Sequence, residues 1–148
     1  MIVRTIRRIR LCLVMGQLLP GYLLFGLLKH LVPIRLLARW AWSRSAGRRD
    51  YEQEWRLKQG VVRLSQMIGL PDRDCLQRSL LLYRMLSRAG AEPILVLGLK
   101  RVNDRTLGHA WVLVDDRPLL DSEVDLRSFA PALCFGRCGK LLHTMNVQ

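Results

Sequence analysis

From Leu11 to Leu28 the chain carries no charged side chain, and the apolar run is broken only by Gln17, Pro20 and the glycines Gly16, Gly21 and Gly26. Its length is borderline for a membrane span. Pro20-Gly21 divides it more naturally into two short helices, with a further turn at Val32-Pro33, because proline lacks an N–H and crowds the preceding helical turn. These helices are expected to pack on the domain, with a membrane interface and a true span as the alternatives. Arg4, Arg7, Arg8 and Arg10 precede the run and Lys29, His30, Arg35 and Arg39 follow it, so the flanking charge defines no orientation across a bilayer. No small-residue cleavage site ends the run.

Ser43 to Arg49 is polar, basic and glycine-containing, which predicts a loop. Asp50 to Ile68 then alternates as an amphipathic helix, with Tyr51, Trp55, Val62 and Met67 among its apolar positions and Gly69 closing it. A second helix opens at Pro71-Asp72-Arg73-Asp74, where either aspartate can cap the turn carrying Cys75. Leu76, Leu80, Tyr83 and Leu86 recur at helical spacing until Gly90. After Pro93 the run Ile94 to Leu99 predicts a buried strand, His109 to Val114 a second, Asp115-Asp116 a turn and Pro118 to Asp121 a third extended segment. The fold class is therefore α+β, with N-terminal helices and a small, mostly antiparallel sheet. Residues 1–49 form a basic, apolar helical segment and residues 50–148 the remaining domain.

Charge sharpens that division. The net charge is +12, yet residues 1–49 hold ten Lys/Arg and no Asp/Glu, so the basicity belongs to the N-terminal segment. An anionic surface, phospholipid or acidic protein, suits it; no zinc-finger spacing, basic heptad helix or aromatic-basic strand points to nucleic acid. Cys12, Cys75, Cys134 and Cys138 are too few and too irregularly spaced for a secreted disulfide framework, which favours a reducing compartment. No second ligand pair follows Cys134 and Cys138, so no metal site is expected and both read as small buried residues.

The candidate chemistry lies in Cys75, His109 and Asp121. A thiol in the first turn of a helix meets free N–H groups and the positive end of the dipole, which favours thiolate. Asp72 and Asp74 oppose ionisation by repulsion, so the histidine and helix, with Arg73 or Arg78, must outweigh them. On a strand, His109 shares its face with Trp111 and Leu113, and Trp111 is placed to exclude water and line a peptide groove. An odd-membered loop at Asp115-Asp116 would bring Asp121 onto the histidine's face; a two-residue loop would separate them unless a bulge intervened. Asp115, Asp116 and Glu123 read as solvated charges, His30 and His143 as incidental. The backbone N–H of Cys75 is one candidate oxyanion donor, and no glutamine is obviously placed as a second.

Five pieces now stand in order: Cys75-Leu-Gln-Arg78-Ser79-Leu-Leu-Leu-Tyr83-Arg-Met-Leu, Gly90-Ala-Glu-Pro, Ile94-Leu-Val-Leu-Gly98-Leu, Gly108-His109-Ala110-Trp111-Val112 and Asp121. Together they resemble the transglutaminase-like, papain-like leader peptidases of lasso-peptide biosynthesis, in the stand-alone protease form of the split systems. The resemblance implies a transglutaminase-like cysteine peptidase fold in a cytoplasmic bacterial enzyme, while the residues of the N-terminal segment leave a peripheral membrane contact open. It also implies a Cys75, His109, Asp121 triad that removes the leader from a ribosomally made precursor peptide. Implied partners are that precursor, a separate leader-recognition protein and an asparagine-synthetase-like lasso cyclase. No bound cofactor is expected, and whether ATP influences proteolysis is left open. The alternatives are another transglutaminase-like amidase or acyltransferase, and a non-catalytic membrane-associated scaffold.

Overall fold

The structure, a computed structural model, describes residues 2–45, 47–68 and 74–142; of residues 2–12 and Val14 only the backbone is described. Gly69, Pro71, Asp72, Arg73 and His143, named above, lie outside it. Helices α1 (Ile2–Leu31), α2 (Ile34–Ala41), α3 (Tyr51–Ile68) and α4 (Cys75–Arg88) come first. They are followed by strands β1 (Ile94–Val102), β2 (Arg105–Val114) and β3 (Arg117–Pro118), a short helix α5 (Glu123–Leu126), β4 (Ala130–Phe135) and β5 (Leu141–Leu142). The strands form one antiparallel sheet in the order β3-β2-β1-β4-β5. The architecture is α+β, as the change of period at Pro93 predicts.

Alternation along the strands sorts the core into two layers. Leu95 of β1, Val112 and Val114 of β2 and Phe135 of β4 face the helices, where they join Leu80, Leu82, Tyr83 and Leu86 of α4, Leu57, Val61 and Leu64 of α3, and Leu18, Tyr22 and Phe25 of α1. On the opposite face Val96, Trp111 and Cys134 form a smaller cluster closed by Leu126, Phe129 and Leu142. The Tyr83 hydroxyl donates to the Gly136 carbonyl and accepts from the Gly139 N–H at 3.2 Å, which ties the central helix to the turn after β4.

Several expectations need correction. The apolar N-terminal run is one helix, continuous through Pro20, rather than two. A proline removes one backbone bond, but here tertiary packing of Leu18, Tyr22 and Phe25 on either side of Pro20 outweighs that loss. The turn at Val32-Pro33 does separate α1 from α2. In α3 the buried face is Leu57, Gly60, Val61 and Leu64, whereas Tyr51, Trp55 and Met67 stand in solvent, because the smaller side chains allow the helices to approach. Asp50 caps that helix, its carboxylate accepting from the backbone N–H groups of Glu52 and Gln53 at 3.0 Å each. Cys134 is buried, but Cys138 is exposed, since it occupies the left-handed region (φ 57°) of a tight surface turn.

Gly90, at φ 86°, ends α4 where the loop before α3 crosses it; a Cβ there would sit 2.9 Å from the Arg49 backbone. Arg49 in turn bridges Glu54, at 2.5 Å, and Asp115, at 2.8 Å, clamping that loop to the β2–β3 turn. On α1, Gly26 lies against α4: a Cβ there would approach the Gln77 amide nitrogen to 2.5 Å. That amide cannot simply swing away, because it donates to the Tyr22 carbonyl at 2.6 Å while its oxygen accepts from Lys29 at 3.2 Å.

A pair of alanine substitutions tests this docking. At Gly16 a Cβ would meet nothing within 4 Å, so Gly16→Ala should stabilise the chain in urea by about 0.5–1 kcal/mol through helix propensity. Gly26→Ala should instead cost about 1–3 kcal/mol through overpacking. Equal effects of the two would mean that α1 is not seated on α4 as described.

Candidate active site

Local chemistry explains why the thiol faces the sheet. β3 covers β2 only at Leu113 and Val114, so the β2 edge around Ala110 is free of a neighbouring strand. The first turn of α4 lies against it. Ala110 turns both its peptide groups outward: its carbonyl accepts from the Ser79 hydroxyl at 2.9 Å, and its N–H donates to the Cys75 sulfur. Cys75 and Ser79 are four residues apart and thus on one helical face, so a single residue of the strand fixes two consecutive turns of the helix.

His109 approaches from the other side of the same edge. Its side chain is on the face that carries Trp111, whose ring stacks beside it at 6.0 Å and 22°, with Phe129 at 5.2 Å. Trp111 is 5 % exposed, so it backs the imidazole and offers little surface of its own; Phe129, only partly buried, is the more accessible ring. Gly98 makes room for this stack, since a Cβ there would lie 2.6 Å from the Trp111 ring.

Asp121 completes the set by an unexpected route. The β2–β3 connection is the two-residue loop, Asp115 and Asp116, with φ of 52° and 61°. Strict alternation from that loop would put Asp121 on the face opposite His109. Instead, pairing ends at Pro118, one further bond runs from the Leu119 N–H to the Val112 carbonyl, and the chain then leaves the sheet. That departure swings the carboxylate under the ring, with Asp121 Oδ1 3.0 Å from His109 Nε2. The same oxygen lies 3.4 Å from the Arg78 guanidinium, one turn along α4 from Cys75. Asp115, Asp116 and Glu123 are exposed, and Asp115 is engaged by Arg49.

With Nε2 committed to Asp121, Nδ1 is the nitrogen left to bond the sulfur. Burial raises the Cys75 thiol pKa, but bonds from His109 and from the Ala110 and Leu76 N–H groups outweigh it and leave a net lowering. The Asp121 carboxylate, then the Cys75 sulfur, raise His109 to about 9 against the opposing effect of burial. These paired shifts favour a thiolate beside an imidazolium.

The aspartate next to the thiol is handled separately. Asp74 is the N-cap residue of α4, yet it makes no side-chain cap bond. Its carboxylate is buried and points to α1, where it accepts from the Tyr22 hydroxyl and lies 3.7 Å from the Lys29 ammonium. Burial, then the neighbouring carboxylate, drive the Tyr22 phenol well above its ordinary range, so it stays a donor. Sequence reasoning missed Tyr22, Lys29, Ser79 and Phe129. Only Ser79 leaves a local signal, the four-residue offset from Cys75; the others depend on tertiary packing. Gln77 is occupied by α1 and is not directed at the thiol. Among the described residues no group of three or more His, Cys, Asp or Glu side chains could hold a metal ion.

Two measurements follow. His109 contributes stability as an imidazolium; that contribution is full below its unfolded pKa of about 6.5 and is lost as pH rises through about 9. Asp121→Asn should move the imidazole titration seen by NMR down toward the ordinary value, and an unmoved titration would discard Asp121 as its cause. Ser79→Ala should cost about 1–3 kcal/mol in urea by leaving the buried Ala110 carbonyl unpaired; a silent substitution would show that water replaces the hydroxyl there.

No curated protein and no solved structure matches the chain. A family match described as transglutaminase-like superfamily covers residues 20–134. It begins inside α1 and ends within β4, so it takes in the part of α1 that holds Asp74 as well as Cys75, His109 and Asp121. This chain belongs to the transglutaminase-like superfamily.

Proposed function

We propose that the protein is a cysteine peptidase that removes the leader from a ribosomally made lasso-peptide precursor. The observation that carries the peptidase reading is the continuous bonded series from Cys75 through His109 to Asp121 at the N-terminus of a helix. The order of motifs from Cys75 to Asp121, which resembles the split-system leader peptidases, carries the substrate. In this reading the precursor is presented by a separate recognition protein, and an asparagine-synthetase-like cyclase takes up the released core.

Chemically, the Cys75 sulfur attacks the scissile carbonyl carbon while its proton resides on His109 Nδ1. The imidazolium then gives that proton to the departing amine as the C–N bond breaks, leaving a thioester. Water, deprotonated by the same nitrogen, attacks the thioester carbon, and the thiolate leaves beside the imidazolium, which restores the starting pair and releases the carboxylic acid. Asp121 keeps Nε2–H engaged and thereby fixes the tautomer that presents Nδ1 to the sulfur. The Cys75 N–H, at the start of α4 and without a side-chain cap, is suited to receive the developing oxyanion. Trp111 holds the imidazole from behind and limits water on that side.

The test is to incubate wild-type protein, Cys75→Ala and His109→Ala with the precursor, with and without the recognition protein, and to weigh the products. Wild type should release leader and core whose masses sum to the precursor plus one water. Each variant should lose turnover by several orders of magnitude. A product heavier by an acceptor amine would identify an acyltransferase in place of a peptidase. Undiminished cleavage by Cys75→Ala would remove the triad altogether.

A further inference from the structure

We propose that the outward face of α1 is a docking surface for an anionic lipid bilayer, on which the helix lies parallel to the membrane plane. This inference is independent of the proposed peptidase activity. Tyr22, Phe25 and Leu18 turn inward to the core. The other side of the helix presents Leu13, Leu23, Leu24, Leu27 and Leu31 at 62, 60, 53, 62 and 70 % exposure. A helix whose outer side faced only water would carry charged or polar residues there. From Leu13 to Leu28 none is charged, and Gln17 is the single polar side chain on the outward arc. From Leu13 to Leu31 the stripe extends about 27 Å at the helical rise of 1.5 Å per residue, longer than the scattered single leucines that soluble surfaces tolerate.

Charge chooses the occupant. Residues 1–49 contain ten Lys/Arg and no Asp/Glu. Arg35 and Arg39 stand exposed just beyond the stripe on α2. A second copy of this chain would bring two wholly cationic segments together, which opposes pairing. A protein partner would find almost no group on the stripe with which to make the polar contacts that specific interfaces carry, about one per 100–200 Å². A lipid surface needs none: acyl chains take the leucines and anionic headgroups take the arginines. Among the described residues no helix is long and apolar enough to cross a membrane, so the contact is peripheral.

The experiment is sedimentation of the full chain with phosphatidylcholine vesicles, with and without phosphatidylglycerol. Binding should be at least about tenfold tighter to the phosphatidylglycerol vesicles and should weaken as salt is raised. The double variant Leu23→Glu, Leu27→Glu should lose it by about tenfold or more while retaining the circular dichroism of the parent. Met67→Glu, at another exposed apolar position, serves as the control and should bind like the parent. Should the double variant misfold, Leu13→Glu alone replaces it, with a smaller loss expected. Failure to sediment with phosphatidylglycerol vesicles would overturn the proposal. So would undiminished binding by the folded leucine variants, or a lipid-free dimer that these substitutions dissociate.

Discussion

One residue's backbone, the N–H and carbonyl of Ala110, determines where the Cys75 thiol stands. Because β3 stops after two residues, the N–H and carbonyl of Ala110 have no strand partner, and an unpaired buried backbone group is costly. Helix α4 supplies the missing partners from two side chains one turn apart, Cys75 and Ser79. Satisfying the sheet edge and positioning the sulfur are thus the same event. The imidazole reaches the sulfur around that edge from the opposite face of the sheet, so the short third strand is a requirement of the site and not an incidental feature of the fold. A longer β3 would occupy the groups that now hold the helix.

The second constraint is electrostatic. Thiolate at Cys75 sits next in sequence to a carboxylate, and two like charges in a partly buried region repel each other strongly. The fold does not remove Asp74; it turns the carboxylate away and surrounds it with a phenol and an ammonium from α1. Helix α1 therefore shapes the surroundings of Cys75, although Tyr22 and Lys29 are more than forty residues from the thiol in sequence. The same helix holds Gln77 in place, so both the charge beside the first turn of α4 and its position depend on one packing contact.

Much of this architecture was legible from period and punctuation. The strands after Pro93 and the helix from Cys75 to the Gly90 stop follow from alternation and turn residues. Tertiary terms were not legible. Proline at position 20 argued for a broken helix, and the continuous α1 reflects packing that local rules do not contain. Tyr51, Trp55 and Met67, among the apolar positions read for α3, face solvent because close approach of α1 and α4 favours Leu57, Gly60 and Val61. For Asp121, parity along a two-residue hairpin gave the wrong face. The carboxylate reaches His109 only because pairing ends at Pro118, and no sequence pattern states where a strand stops pairing.

The two sides of α1 combine these observations. Its inner side reads the N-terminus of α4 through Tyr22, Lys29 and the close approach at Gly26. Its outer side is a leucine stripe without charge. The leucines and the groups that hold Asp74 and Gln77 thus occupy opposite sides of the same helix. The continuity of α1 through Pro20 matters for this reason: a break there would detach Leu13 and its neighbours from the segment that touches Asp74 and Gln77, whereas one unbroken helix carries both surfaces.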